Sequence, residues 1–302
     1  MAVVGYTYDD KAVREDLLDL ITNLTPRETQ LVAGLGSSTA KSTLHEWLTD
    51  TLSAVKANAY AEGADASYQT LTNPARLTNV TQISRQAFQV SGTERAVDQA
   101  GFNDRMAYEA EKAMDILKND IELALMNGAL TQSVVSTNTA RALRGVKASL
   151  SLASVQSGIS LTEAIFNDYL QLVWDNSRQE VDEVYGDMYM KRKISGFTAG
   201  STKNTNNSDK RLVNSVDVYE ADAAKMVKLF AHRYVNLSGS GSAVTNHSLV
   251  GIKNDKFRTA WLRKPFMTDL AKTGDSDKAE IISEYTLECI DPTAGFHATE
   301  HL

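Results

Sequence analysis

The chain has 302 residues, 42% of them hydrophobic and 23% charged, a balance that supports a buried core and excludes a disordered chain. Its formal net charge of −7 argues against a protein that holds nucleic acid by neutralising phosphates, which needs clustered Lys and Arg. A single cysteine, Cys289, excludes an internal disulfide, and no run approaches the roughly 18 apolar residues of a membrane span.

The first residues carry no basic segment followed by an apolar one, so no secretory signal is expected. Residues 1–43 read as an arm. A short helix is predicted over 10–22, with Val13, Leu17, Leu18 and Ile21 on one face. Thr25-Pro26 ends it, because the residue before proline is driven toward extended geometry. So short a helix on a tether does not stabilise itself and is expected to dock elsewhere. The following GLGSSTAKS reads as small and flexible. Its Ala40-Lys41-Ser42 ending has the outline of a phosphate loop. However, Leu35 and Ala40 stand where glycine must let the backbone wrap a phosphate.

Residues 44–90 read as extended, interrupted at Glu62-Gly63-Ala64-Asp65 and at Asn73-Pro74. Over 79–90, one face carries Val80, Gln82, Ser84, Gln86, Phe88 and Val90. The other carries Thr81, Ile83, Arg85, Ala87 and Gln89. Neither face is apolar throughout, so neither suits a core of its own, and a lone two-stranded ribbon is marginal. Support from a neighbouring subunit is the expectation. A long helix follows, capped by Asn103 and closed by Gly128. Met106, Ala110, Ala113, Met114, Leu117, Ile121, Ala124 and Leu125 recur at helical spacing, with Asp115, Lys118, Asn119 and Glu122 assigned to the wet side.

A second helix is predicted to start at Ser160, in a capping box with Glu163, and to run to about residue 179. Leu161, Ile165, Tyr169, Leu172 and Val173 form its stripe. Polar loops at 197–208 and 238–242 separate strands expected at 212–219, 227–235 and 248–252. Residues 223–234 fit helix and strand alike, since Met226, Leu229, Phe230 and Arg233 also have helical spacing. A last strand is expected at 281–290, ended by Asp291-Pro292.

The chemical candidates are weak. His45, His232, His247, His297 and His301 lack the spacing of a metal set; His297 and His301 lie in an irregular tail on this reading. Ser240 in SGSGS lacks the strand-turn-helix setting of a nucleophile, and Cys289 reads as a small buried hydrophobe. The acidic pairs, such as Asp275-x-Asp277, and the triplet Lys191-Arg192-Lys193 read as solvated faces.

Arm, extended loop, long rod helix and mixed remainder, in this order, resemble the Hong Kong 97 capsid fold. The sequence is also similar to the major capsid (major head) proteins of tailed bacteriophages. The matching residues are Glu46-Trp47, Asp50-Thr51-Leu52, Asn58-Ala59, Glu62-Gly63-Ala64-Asp65-Ala66, Thr72-Asn73-Pro74 and Arg76-Leu77-x-Asn79. Val90-Ser91-Gly92-Thr93 and Asp120-Ile121-Glu122 continue the series. Leu270-Ala271-Lys272-Thr273-Gly274-Asp275-Ser276 and Glu284-Tyr285-Thr286-Leu287-Glu288 complete it.

The resemblance implies an α+β fold with an N-arm (1–43), an E-loop (44–90), a P domain with its spine helix (91–150) and an A domain (151–254). Residues 255–302 then return to the P domain. It also tips 223–234 toward strand. It implies a non-enzymatic shell subunit without metal or cofactor. Hexamers and pentamers would close into an icosahedral virion capsid around double-stranded DNA, read without sequence specificity. Portal and decoration proteins would be further partners, no membrane is expected, and assembly would occur in the host cytoplasm. An encapsulin-type compartment is the alternative. The residues expected to meet another copy are Leu17, Leu18 and Ile21 in the arm, and Trp47, Tyr60, Glu62, Arg76, Ile83, Arg85 and Phe88 in the loop.

Overall fold

Helices and strands are interspersed along the chain, and the strands that pair are mostly distant in sequence. The computed structural model describes residues 29–66, 68, 71, 73–97, 104–129, 140–155, 159–197, 217–221, 224–236 and 247–301. The predicted helix at 10–22, with Leu17, Leu18 and Ile21, lies outside them, as do the loops at 198–208 and 238–242. The elements are α1 (Gln30–Gly34), β1 (Gly36–Thr39), β2 (Leu44–Thr49), β3 (Ala75–Val80), β4 (Gln82–Ser91), α2 (Gly92–Ala96) and α3 (Arg105–Asn127). They continue with α4 (Val146–Ser149), β5 (Leu152–Val155), α5 (Glu163–Ser177), β6 (Glu183–Gly186), α6 (Met188–Ser195), β7 (Val218–Ala221) and β8 (Ala224–Ala231). The last are β9 (His247–Ile252), β10 (Phe257–Leu270), β11 (Ser276–Cys289) and β12 (Gly295–His301).

Helix α3 is the rod expected from the sequence, about 35 Å long at 1.5 Å per residue. Its cap is Asp104, one residue later than expected; the carboxylate accepts from the Met106 amide at 3.0 Å. Gly128 closes it, donating to the Ala124 carbonyl at 2.8 Å. A side chain there would strike the Leu143 carbonyl at 2.6 Å, so close approach of two backbones requires the glycine. Ala113, Leu117, Ile121, Leu125 and Met126 are buried as the 3.6-residue period demands. Glu122, assigned to the wet side, is buried with them.

Two sheets flank this rod. The first has strand order β1-β10-β11-β4, with β1 parallel to β10 and the rest antiparallel. Residues 36–39, expected to be flexible, therefore form an edge strand. β4 pairs with β11 from Gln82↔Tyr285 to Ser91↔Ser276, which corrects the expectation that 82–90 needs a neighbour. The partner lies some 200 residues away, beyond the reach of a local pattern. The side of β4 that carries Phe88 packs on the first core, and Gln86 donates to Asp120 of α3 at 2.7 Å.

The second sheet runs β5-β12-β9-β6-β8-β7. Residues 224–231 are strand, resolving the ambiguous segment, and the supposed irregular tail at 295–301 is a strand inside this sheet. β10, a 14-residue strand, had no counterpart in the sequence reading. Helix α5 starts at Thr162 and not Ser160; the Thr162 hydroxyl accepts from the Ile165 amide. Its stripe is rotated accordingly, with Phe166 and Leu170 buried and Ile165 only packed against the core. One core fills the space between α1, α3, α4 and the first sheet. A second packs α5 and α6 on the six-stranded sheet.

Candidate assembly surfaces

β2 and β3 form a hairpin in register from Leu44↔Val80 to Thr49↔Ala75. Residues 51–66 between them have no helix or strand and are exposed throughout. The exposure is extreme at large apolar side chains: Leu52 99%, Val55 83%, Tyr68 95% and Leu71 92%. At Gly63 the backbone adopts φ +78, a left-handed turn that favours glycine. A segment with these side chains in water is unfavourable by itself, at about 25 cal/mol for each Å² of apolar surface left uncovered.

The root of the hairpin is, by contrast, pinned. Asn79 is buried; its amide nitrogen donates to the carbonyls of Arg144 and Leu287 at 3.0 and 2.7 Å. Its oxygen accepts from the Arg144 amide at 2.9 Å. The Glu284 carboxylate, 5% exposed, accepts from Thr81 at 2.8 Å and from Arg141 and Arg263 at 3.0 Å. Charge-assisted bonds to two guanidiniums from different segments fix the direction in which the hairpin leaves the body. A rigid root with a bare tip is a geometry for reaching another molecule, not for closing a local core.

The seven residues expected at interfaces that are among the described residues divide accordingly. Tyr60 and Glu62 lie in the exposed span, and Arg76 is exposed beside it, 3.6 Å from Glu46. Ile83 and Arg85 sit on the outer face of β4, exposed. Trp47 and Phe88 are half-buried: the Trp47 indole donates to the Cys289 carbonyl at 2.9 Å, and both rings pack against their own chain's core. Large aromatic rings at strand positions go to whichever face is covered, and here their own chain covers it. Leu52, Val55, Tyr68 and Leu71, the most exposed large apolar side chains of this region, were not singled out by the sequence reading. Their only signal was apolar character without period.

Nothing chemical converges among the described residues. No group of three or more metal-ligating side chains occurs there, and no helix of the described residues is long and apolar enough to cross a membrane. Burial pushes the Cys289 thiol up to about 12, so it is no thiolate nucleophile at neutral pH. Burial also lowers His297 to about 4, helped by the nearby Lys147 charge, and lowers Lys147 to about 8. Lys191 pairs with Asp217, and Arg192 and Lys193 lie over the Tyr189 ring, so the basic triplet is spent on its own chain.

With this geometry in hand, comparison with known proteins is direct. The model of the SU10 major capsid protein family matches residues 3–300. The major capsid protein of Escherichia phage Phieco32 is 29% identical over 131 residues, covering 43% of this chain and only 37% of that protein. Among solved structures, the capsid of a native GTA particle superposes with TM-score 0.66 at 12% identity, covering all of both chains. The holo-SrpI encapsulin complex from Synechococcus elongatus PCC 7942 superposes with TM-score 0.59 at 10% identity, covering 100% of this chain and 96% of that one. Such low identities speak for the fold alone, which is the Hong Kong 97-type capsid fold. The family match, spanning nearly the whole chain, settles the rest: the chain belongs to the SU10 major capsid protein family.

Proposed function

We propose that this chain is the repeated wall subunit of an icosahedral phage head, non-enzymatic, assembling through hexamers and pentamers around double-stranded DNA. The observation that carries the reading is the exposed 51–66 span on a pinned root. Its apolar side chains gain cover only from a second molecule, and a head-to-tail contact of this kind propagates into rings and lattices. On this reading 44–90 is the E-loop, 91–150 the P domain built on α3, and 151–254 the A domain. Tyr60, Glu62, Arg76, Ile83 and Arg85 contact the next subunit, and the arm residues Leu17, Leu18 and Ile21 clasp one as well. The net negative charge suits a wall that encloses DNA without adhering to it. Portal and decoration proteins are the further partners of such a shell, and the host cytoplasm is the place of assembly.

Electron microscopy of the purified full chain tests this. Closed shells of uniform diameter are the expected result, and nucleic acid inside particles from infected cells separates a head from an encapsulin-type compartment holding protein. A chain that stays monomeric at high concentration, with 51–66 protected from proteases, sinks the reading.

A further inference from the structure

Helix α1 is where the described chain begins, and it has no cap of its own, since the Thr29 side chain makes no capping bond. The cap comes from α3. The Glu122 carboxylate accepts from the Leu31 amide at 2.6 Å and the Val32 amide at 2.9 Å, across about 90 residues of sequence. A third donor arrives from the other sheet. His232, directly after β8, places Nε2 2.9 Å from the same carboxylate, and both side chains are 0% exposed.

The neighbours leave little freedom. His232 Nδ1 has no partner among the described residues; a carboxylate offers only acceptors, which assigns the donor role in the bond to Glu122 to Nε2–H. The imidazole is held edge-on by the rings of Tyr185 and Tyr234. Tyr185 cannot substitute as a donor, because its hydroxyl is given to Glu183 at 2.6 Å. His232 is tied to the six-stranded sheet by its amide, which donates to the Gly186 carbonyl at 2.7 Å. Removing a carboxylate from water is costly, and an apolar side chain of equal size would pack here without that cost. What it could not do is hold three separate segments by direction.

We propose that Glu122 and His232 form a latch coupling the arm root to the six-stranded sheet, so that displacing either one loosens the other. The carboxylate belongs to the rigid rod. α1 is bonded to it from one side and the end of β8 from the other, so a shift of β8 that withdraws His232 leaves the α1 cap short of its orienting partner. Glu122 and His232 are positioning residues on this account: they set the orientation of α1 against the rod and the six-stranded sheet.

Hydrogen exchange on the dissociated full chain tests the latch, and its outcome does not depend on whether shells form. H232F keeps an aromatic ring between the two tyrosines but removes the donor; H232Q keeps a donor near the Nε2 position. The expected result is at least tenfold faster exchange of the Leu31 and Val32 amides in H232F and less than threefold in H232Q, with Leu117 and Ile121 still protected. Coupling free energies are reciprocal, so V32P, a first-turn proline that removes one donor, should speed exchange of the His232 amide. Wild-type rates at Leu31 and Val32 in H232F, or at His232 in V32P, overturn the proposal and leave Glu122 as a simple helix cap.

Discussion

His297 shows how one residue links burial to pH. Its ring sits on β12 among packed side chains, and burial, with the Lys147 charge nearby, lowers it to about 4. The unfolded chain, with an ordinary histidine near 6.5, therefore binds the proton first as pH falls. Between about 6.5 and 4 acid thus removes stability, and above 6.5 the effect is absent. The ring is partly exposed, so the loss is discounted to about 2 kcal/mol. Urea midpoints measured at pH 7 and pH 4 should show that loss in the wild type and much less of it in H297Q. An equal acid slope in the two proteins would move the cause elsewhere. Glu122 makes the complementary point. Helical spacing put it beside Lys118 and Asn119 on a wet face, whereas in the fold it is the most thoroughly bonded carboxylate among the described residues of α3. Spacing alone could not tell the edge of a buried face from solvent, because α1 and β8, which cover that edge, come from 90 and 110 residues away.

At the level of elements, the β2–β3 hairpin separates folding from function. Its root is fixed by Asn79, Trp47 and the Glu284 cluster, and the described residues of its tip, 51–66, are exposed throughout. Replacing 53–71 with a short Gly-Ser turn should therefore leave the urea midpoint of the subunit within about 0.5 kcal/mol of wild type, since a shorter loop closes at slightly lower entropic cost. The same variant should lose shells by electron microscopy. Intact shells would remove the hairpin tip from the assembly contact, and a collapsed midpoint would mean that it folds back on its own chain. The neighbouring strand β4 teaches the opposite lesson. Its mixed faces suggested dependence on a second subunit, but β11, buried along most of its length, supplies a partner in the same chain.

For the whole molecule, there are two cores, one built on the rod α3 with strands β10 and β11, the other on α5 and α6 with β12 and its sheet. The subunit leaves large apolar side chains such as Leu52 and Val55 exposed, and a neighbour that covered them would remove that surface from water. Burial upon assembly then stabilises the folded state by mass action. Apparent melting temperatures should rise with protein concentration and be higher for purified particles than for dissociated subunits. Identical melting in both forms would mean that the contacts between subunits add nothing to the fold.

Read alone, the amino-acid order determined the long capped helix, the strand-rich remainder, the lack of a disulfide and the similarity to phage head proteins. Each of these rests on local period, local capping chemistry or residues matched in order. Only the tertiary structure decided that 295–301 is a strand inside a sheet, that β4 pairs with β11, and that Glu122 is buried beside His232. Those outcomes depend on which distant segment arrives as a partner, and a strand or a carboxylate carries no local mark of the segment that will meet it.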